Sequence, residues 1–125
     1  MIEEQAIQAE LQQLEQLIGQ HPVIQAFKEV EMRARTNRHL QELEEQIKAA
    51  QKEAVQFAHY GKPEAEKQAI LRIEELTAAY NQQPLVVRYR ETLFEANDLL
   101  QFVTSAVQKK VNQALEEELG NASKN

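Results

Sequence analysis

The stretch PLVVRYRETLFEANDLLQFVTSAVQKKVNQALEEEL, residues 84–119, decides the fold. Val86, Tyr89, Leu93, Ala96, Leu100, Val103 and Val107 follow one another at steps of three and four. That spacing returns side chains to one side of an α-helix. Leu85, Phe94, Leu99, Phe102 and Ala106 form a second stripe beside the first. So wide an apolar face implies contact with more than one partner helix. No glycine or proline interrupts the stretch before Gly120. At 1.5 Å rise per residue the helix is roughly 50 Å long, more than a small domain needs. The expectation is a helix that packs on its predecessors and then reaches beyond them to another subunit.

The rest of the composition agrees. The chain has 125 residues, three glycines, three prolines, no cysteine and no tryptophan. Its length fits one domain, read here as a single helical domain over 1–119 with a frayed tail at 120–125. Alternating strand patterns and hairpin turn pairs such as Asn-Gly do not occur. A net charge of −6 argues against broad contact with nucleic acid. Without cysteine there is no disulfide, thiolate catalysis or cysteine-held metal. The acidic start, Met1-Ile2-Glu3-Glu4, lacks the features of a secretory signal, and no apolar run suits a bilayer. The expected setting is the cytoplasm, with no membrane contact.

Five helices are expected, at about 2–18, 22–35, 38–59, 64–81 and 84–119. The first carries only Ile7, Leu11, Leu14 and Ile18, a narrow seam of the coiled-coil kind. Gly19 is taken as its end and Pro22 as the first residue of the next. The second turns Val23, Ile24, Phe27, Val30 and Ala34 inward. Thr36-Asn37 reads as a break, the alternative being a bend within one longer helix. The third carries the cleanest heptad: Leu40, Leu43, Ile47, Ala50, Ala54 and Phe57. Tyr60-Gly61-Lys62-Pro63 then forces a tight reversal, and the fourth helix offers Ala69, Ile73, Leu76 and Tyr80. Residues 38–81 therefore read as an antiparallel coiled-coil-like hairpin. The fold class is all-α: a five-helix antiparallel bundle with this hairpin and a long C-terminal helix.

A faint repeat is present. Pro22, Phe27, Lys28 and Glu29 match Pro84, Tyr89, Arg90 and Glu91 in register. It records either how a helix docks its first turn or an old duplication.

Catalytic equipment is not apparent. His21, His39 and His59 lack the spacing of a helical metal site. Glu44-Glu45, Glu74-Glu75 and Glu116-Glu117-Glu118 are neighbours on helices and point in different directions. No phosphate loop or nucleophile elbow occurs. No catalytic, cofactor-binding or metal-binding residue is assigned, and no cofactor is expected. Asn97 and Asp98 are either an exposed pair or a polar contact to another chain. Arg33, Arg35 and Arg38 near the break, with Arg88 and Arg90, either pair with glutamates or make a basic patch for RNA. The best candidates for a protein interface are Phe94, Asn97, Asp98, Leu99, Phe102 and Val103, an apolar stripe too large to leave bare on a monomer.

Longer motifs carry a resemblance. Ile47-Lys48-Ala49-Ala50-Gln51-Lys52-Glu53-Ala54-Val55, His59-Tyr60-Gly61-Lys62, Pro84-Leu85-Val86, Tyr89-Arg90 and Asn97-Asp98-Leu99-Leu100-Gln101-Phe102-Val103 look like the YmcA/YlbF family of bacterial helical regulators. The YmcA (RicA) branch is the nearest in pattern. The likeness is strong over 38–111 and looser over 21–37. It implies a non-enzymatic adaptor working with YlbF-like and YaaT-like proteins and, through them, with the endoribonuclease RNase Y in messenger RNA maturation. Competence, biofilm formation and sporulation would depend on it. The alternative implied is a scaffold acting on a signalling phosphorelay. Family complexes hold iron–sulfur clusters through cysteines, so cluster binding is not carried over to this cysteine-free chain. Alone, the chain is expected to be a homodimer, without direct contact to nucleic acid.

Overall fold

The computed structural model describes residues 2–123. Five helices follow in order: α1 (Ile2–Gln20), α2 (Pro22–Thr36), α3 (Arg38–His59), α4 (Pro63–Asn81) and α5 (Pro84–Ser123). There is no strand among the described residues. The all-α, antiparallel reading with its hairpin and long last helix holds.

The packing is pairwise. α3 and α4 lie close along their length, and α2 packs on the first half of α5. α1 touches α2 alone by backbone proximity, and the two pairs meet only where α2 adjoins α3 and α4 adjoins α5. Buried apolar side chains follow these seams: Ile24, Val30, Val86 and Ala96 between α2 and α5, and Leu40, Leu43, Ala50 and Ala69 between α3 and α4. Small alanines let the α3 and α4 backbones come near each other. The most buried side chain is Thr92, fully enclosed, whose hydroxyl donates to the Tyr89 carbonyl at 3.0 Å. That bond satisfies the one polar atom the seam hides. The two aromatics of the sequence repeat meet here: the rings of Phe27 and Tyr89 are 5.7 Å apart. The repeat thus works as a docking element, each copy supplying one ring to the same contact.

The breaks between helices are built alike. His21 and Asn37 are both extended, with ψ of 135° and 116°. Nδ1 of His21 accepts from the Val23 amide at 3.1 Å, and Oδ1 of Asn37 accepts from the Leu40 amide at 3.0 Å. Each caps the helix that follows. Four residues on, a glutamine reaches back to the helix that has just ended: Gln25 donates to the Gly19 carbonyl and Gln41 to the Arg35 carbonyl. Orphan groups on both sides of each break are thereby satisfied. At the hairpin tip Gly61 has φ +66°, a left-handed geometry that glycine adopts without strain.

Two boundaries differ from the sequence reading by more than one residue, while the end of α2 and the start of α4 each differ by one. α1 runs through Gly19 to Gln20, and α5 runs through Gly120 to Ser123. Neither glycine has the positive φ of a helix-ending cap, so composition alone placed those ends too early. The rest of the expected tail, residues 124 and 125, lies outside the described residues.

Two stability changes follow from these seams. Asn37→Ala removes the cap of α3 and is expected to cost about 1 kcal/mol in urea unfolding. Ala50→Leu overfills the α3–α4 seam and is expected to cost about 1–3 kcal/mol. The matching change at exposed Ala49 is expected to stay within about 0.5 kcal/mol.

Candidate protein-docking surfaces

The surface is large for the mass. The chain exposes 10383 Å², whereas a compact 14.4 kDa protein exposes about 6,800 Å². The excess lies where helices leave their partners. Side chains from Thr104 to Ala122 are all exposed, so the second half of α5 stands clear of the body. The expectation of a helix reaching past its neighbours is met.

The six candidate interface residues fall on three sides of α5. Phe94 lies two residues from both Thr92 and Ala96, which turns it away from the seam with α2. It is 75% exposed, and Phe102, two turns on, is 73% exposed. Asp98 sits between them at four-residue steps, also exposed. Phe94, Asp98 and Phe102 therefore make one outward ridge. Leu99 and Val103 are half-buried on the inner flank. Asn97 is on the remaining side, where it lines a depression of about 390 Å³ with Glu15, Ile18, Ile24, Phe27 and Leu93. Of the second apolar stripe read from the sequence, the phenylalanines face solvent and Leu85 and Leu99 turn part-way inward. Thr92 was not on either stripe. Only its position beside Leu93 and Ala96 hinted that a hydroxyl lay at the centre of the seam.

A second cleft, of about 320 Å³, opens where the two helix pairs meet, lined by Glu31, Ala34, Arg35, Glu44, Tyr80, Val86 and Tyr89. The Tyr80 hydroxyl donates to Oε1 of Glu44 at 3.0 Å. Partial burial, then the bond to that carboxylate and its charge, push the Tyr80 phenol above its ordinary pKa. Arg35 is paired with Glu31 in the same cleft. The group is a hydrogen-bonded clasp between α3 and α4 beside a compensated ion pair. It supplies no nucleophile with an adjoining base.

The arginines are largely occupied at home. Arg33 pairs with Glu29 at 2.7 Å, Arg88 with Glu91 at 3.6 Å, and Arg90 donates to Asn81 at 2.7 Å. Such exposed pairs add little stability, but they neutralise the patch that RNA would need. His21 serves as a helix cap, and His39 and His59 are exposed. Among the described residues no cluster of His, Asp or Glu is arranged to hold a metal. No helix among them is long and apolar enough to cross a membrane.

Comparison with known proteins places the chain in a family. Residues 7–112 match the family described as "Control of competence regulator ComK, YlbF/YmcA". "Uncharacterized protein YmcA" of Bacillus subtilis (strain 168) is 32% identical over 102 residues, which is 82% of this chain and 71% of that protein. The family match spans all five helices, from within α1 to the second half of α5. The chain belongs to the YlbF/YmcA family of regulators.

Proposed function

We propose that this chain is a non-enzymatic adaptor subunit of a YmcA–YlbF–YaaT-like complex that assists RNase Y in messenger RNA processing. Competence, biofilm formation and sporulation are its downstream dependents, and the cytoplasm is its setting. The observation that carries the reading is the ridge of Phe94, Asp98 and Phe102. Two phenylalanines about three-quarters exposed and a turn-spaced carboxylate suit a partner helix or groove that buries aromatics around a polar contact. Family membership supports a regulatory role, and the paired arginines support action through protein and not through bound RNA. In isolation the chain associates with itself, which covers part of its excess surface. A scaffold acting on a phosphorelay protein would use the same ridge. Mapping transcript 5′ ends in a deletion strain separates the two, since only the adaptor leaves messages unprocessed.

The tagged chain is expected to recover YlbF-like and YaaT-like proteins, and through them RNase Y, from a native lysate. Phe94→Ser with Phe102→Ser is expected to reduce that recovery by about tenfold or more. Thermal unfolding is expected to be unchanged, because both rings already face water. Recovery of none of the three by the unaltered chain would sink the adaptor reading.

A further inference from the structure

The outward side of α5 carries more chemistry than its two rings. One exposed residue per turn along it gives Val87, Glu91, Phe94, Asp98 and Phe102, at steps of three and four. Apolar and acidic side chains alternate in that row. Val87 is 43% exposed, less than the rings but still open to water. The two phenylalanines are about 12 Å apart along the axis at 1.5 Å per residue, with the Asp98 carboxylate midway. Glu95 stands beside the row, four residues from Glu91 and three from Asp98, so like charges crowd around Phe94.

Little in the chain compensates this charge. Between Arg90 and Lys109, α5 holds Glu91, Glu95 and Asp98 and no lysine or arginine. Arg88 reaches Glu91 at 3.6 Å, and Arg90 is turned to Asn81. Among the described residues no cation pairs with Glu95 or Asp98. Acids at three- and four-residue spacing work slightly against a helix, and the seam with α2 lies on the opposite side. Neither carboxylate therefore helps the chain to fold.

The sign of the charge selects the occupant. Phosphate-bearing surfaces are repelled. A second copy laid on this side about a two-fold axis would set Glu95 and Asp98 against the same carboxylates of the other copy, which disfavours that contact. We propose that the ridge is read by a basic groove on a different protein. The groove has two apolar pockets about 12 Å apart for Phe94 and Phe102, and lysine or arginine side chains placed for Asp98 and Glu95. The rings supply binding energy by leaving water, and the charges fix the register. A slip of one turn would drive a carboxylate into an apolar pocket and a ring onto a cation, so the alternation rejects misplaced partners. The inference rests on the adaptor function proposed above and specifies the partner's surface.

Charge reversal on the full tagged chain tests this, with capture of the YlbF-like and YaaT-like proteins as the readout. Glu95→Lys with Asp98→Lys is expected to lower capture about tenfold or more, and Asp98→Asn alone by a smaller factor. Glu74→Lys with Glu75→Lys makes the same change in net charge at exposed sites on α4 and is expected to alter capture less than about twofold. Thermal unfolding of each variant is expected to match that of the unaltered chain, since all these sites face water. Raising sodium chloride from about 0.05 to about 0.5 M is expected to weaken capture by the unaltered chain several-fold. Undiminished capture by the ridge reversal, or an equal loss with the α4 control, would overturn the basic groove and leave the adaptor function standing. A reversal that instead splits the chain's own dimer would assign the ridge to a second copy and overturn the proposal. Failure of the unaltered chain to capture either protein would remove the adaptor function and this inference together.

Discussion

The seam between α2 and the first half of α5 is the contact on which everything else depends. It is short, because α2 has only 15 residues, yet it supplies most of the grip on a helix of 40. Thr92, Ala96 and Val86 on one side, with Ile24 and Val30 on the other, hold α5 by one face. The opposite face is therefore free to carry Phe94 and Phe102, and the unheld half is free to project. Burying a hydroxyl at the centre suits this arrangement. Thr92 keeps its bond within its own helix, so the seam needs no polar partner from α2.

Much of this was legible in the chain. The heptad of α3, the reversal at Gly61 and the break at Asn37 each had a local chemical cause, and each is found where expected. The helix ends at Gly19 and Gly120 were misread, because a glycine marks an end only when its φ turns positive. The real terminator of α1 is His21, held extended ahead of Pro22 and capping α2 through its own imidazole, with Gln25 reaching back to Gly19. The candidate interface was half legible. Spacing found the apolar residues of α5, but it could not say that α4 barely meets this helix, which is why Phe94 and Phe102 stay outside.

That ambiguity of spacing is informative about function. A stripe on a helix looks the same whether it is destined for its own core or for another protein. The distinction comes from counting the neighbours available to cover it. Here α3 and α4 spend their apolar faces on each other, leaving α5 one partner for two stripes. A regulator assembled this way carries its binding surfaces as leftovers of its own folding.

The two interruptions bordering one cleft, at Asn37 and at Gln82-Gln83, have a mechanical consequence. A two-helix rod is stiff because each rail braces the other, and cutting both rails at one level concentrates compliance there. The α3–α4 rod beyond that elbow is about 33 Å long at 1.5 Å per residue. Flexing by about 10° at the elbow swings the Gly61 tip by roughly 6 Å on such a lever. The Tyr80–Glu44 clasp sits beside the pivot, where a small loss of grip is amplified most.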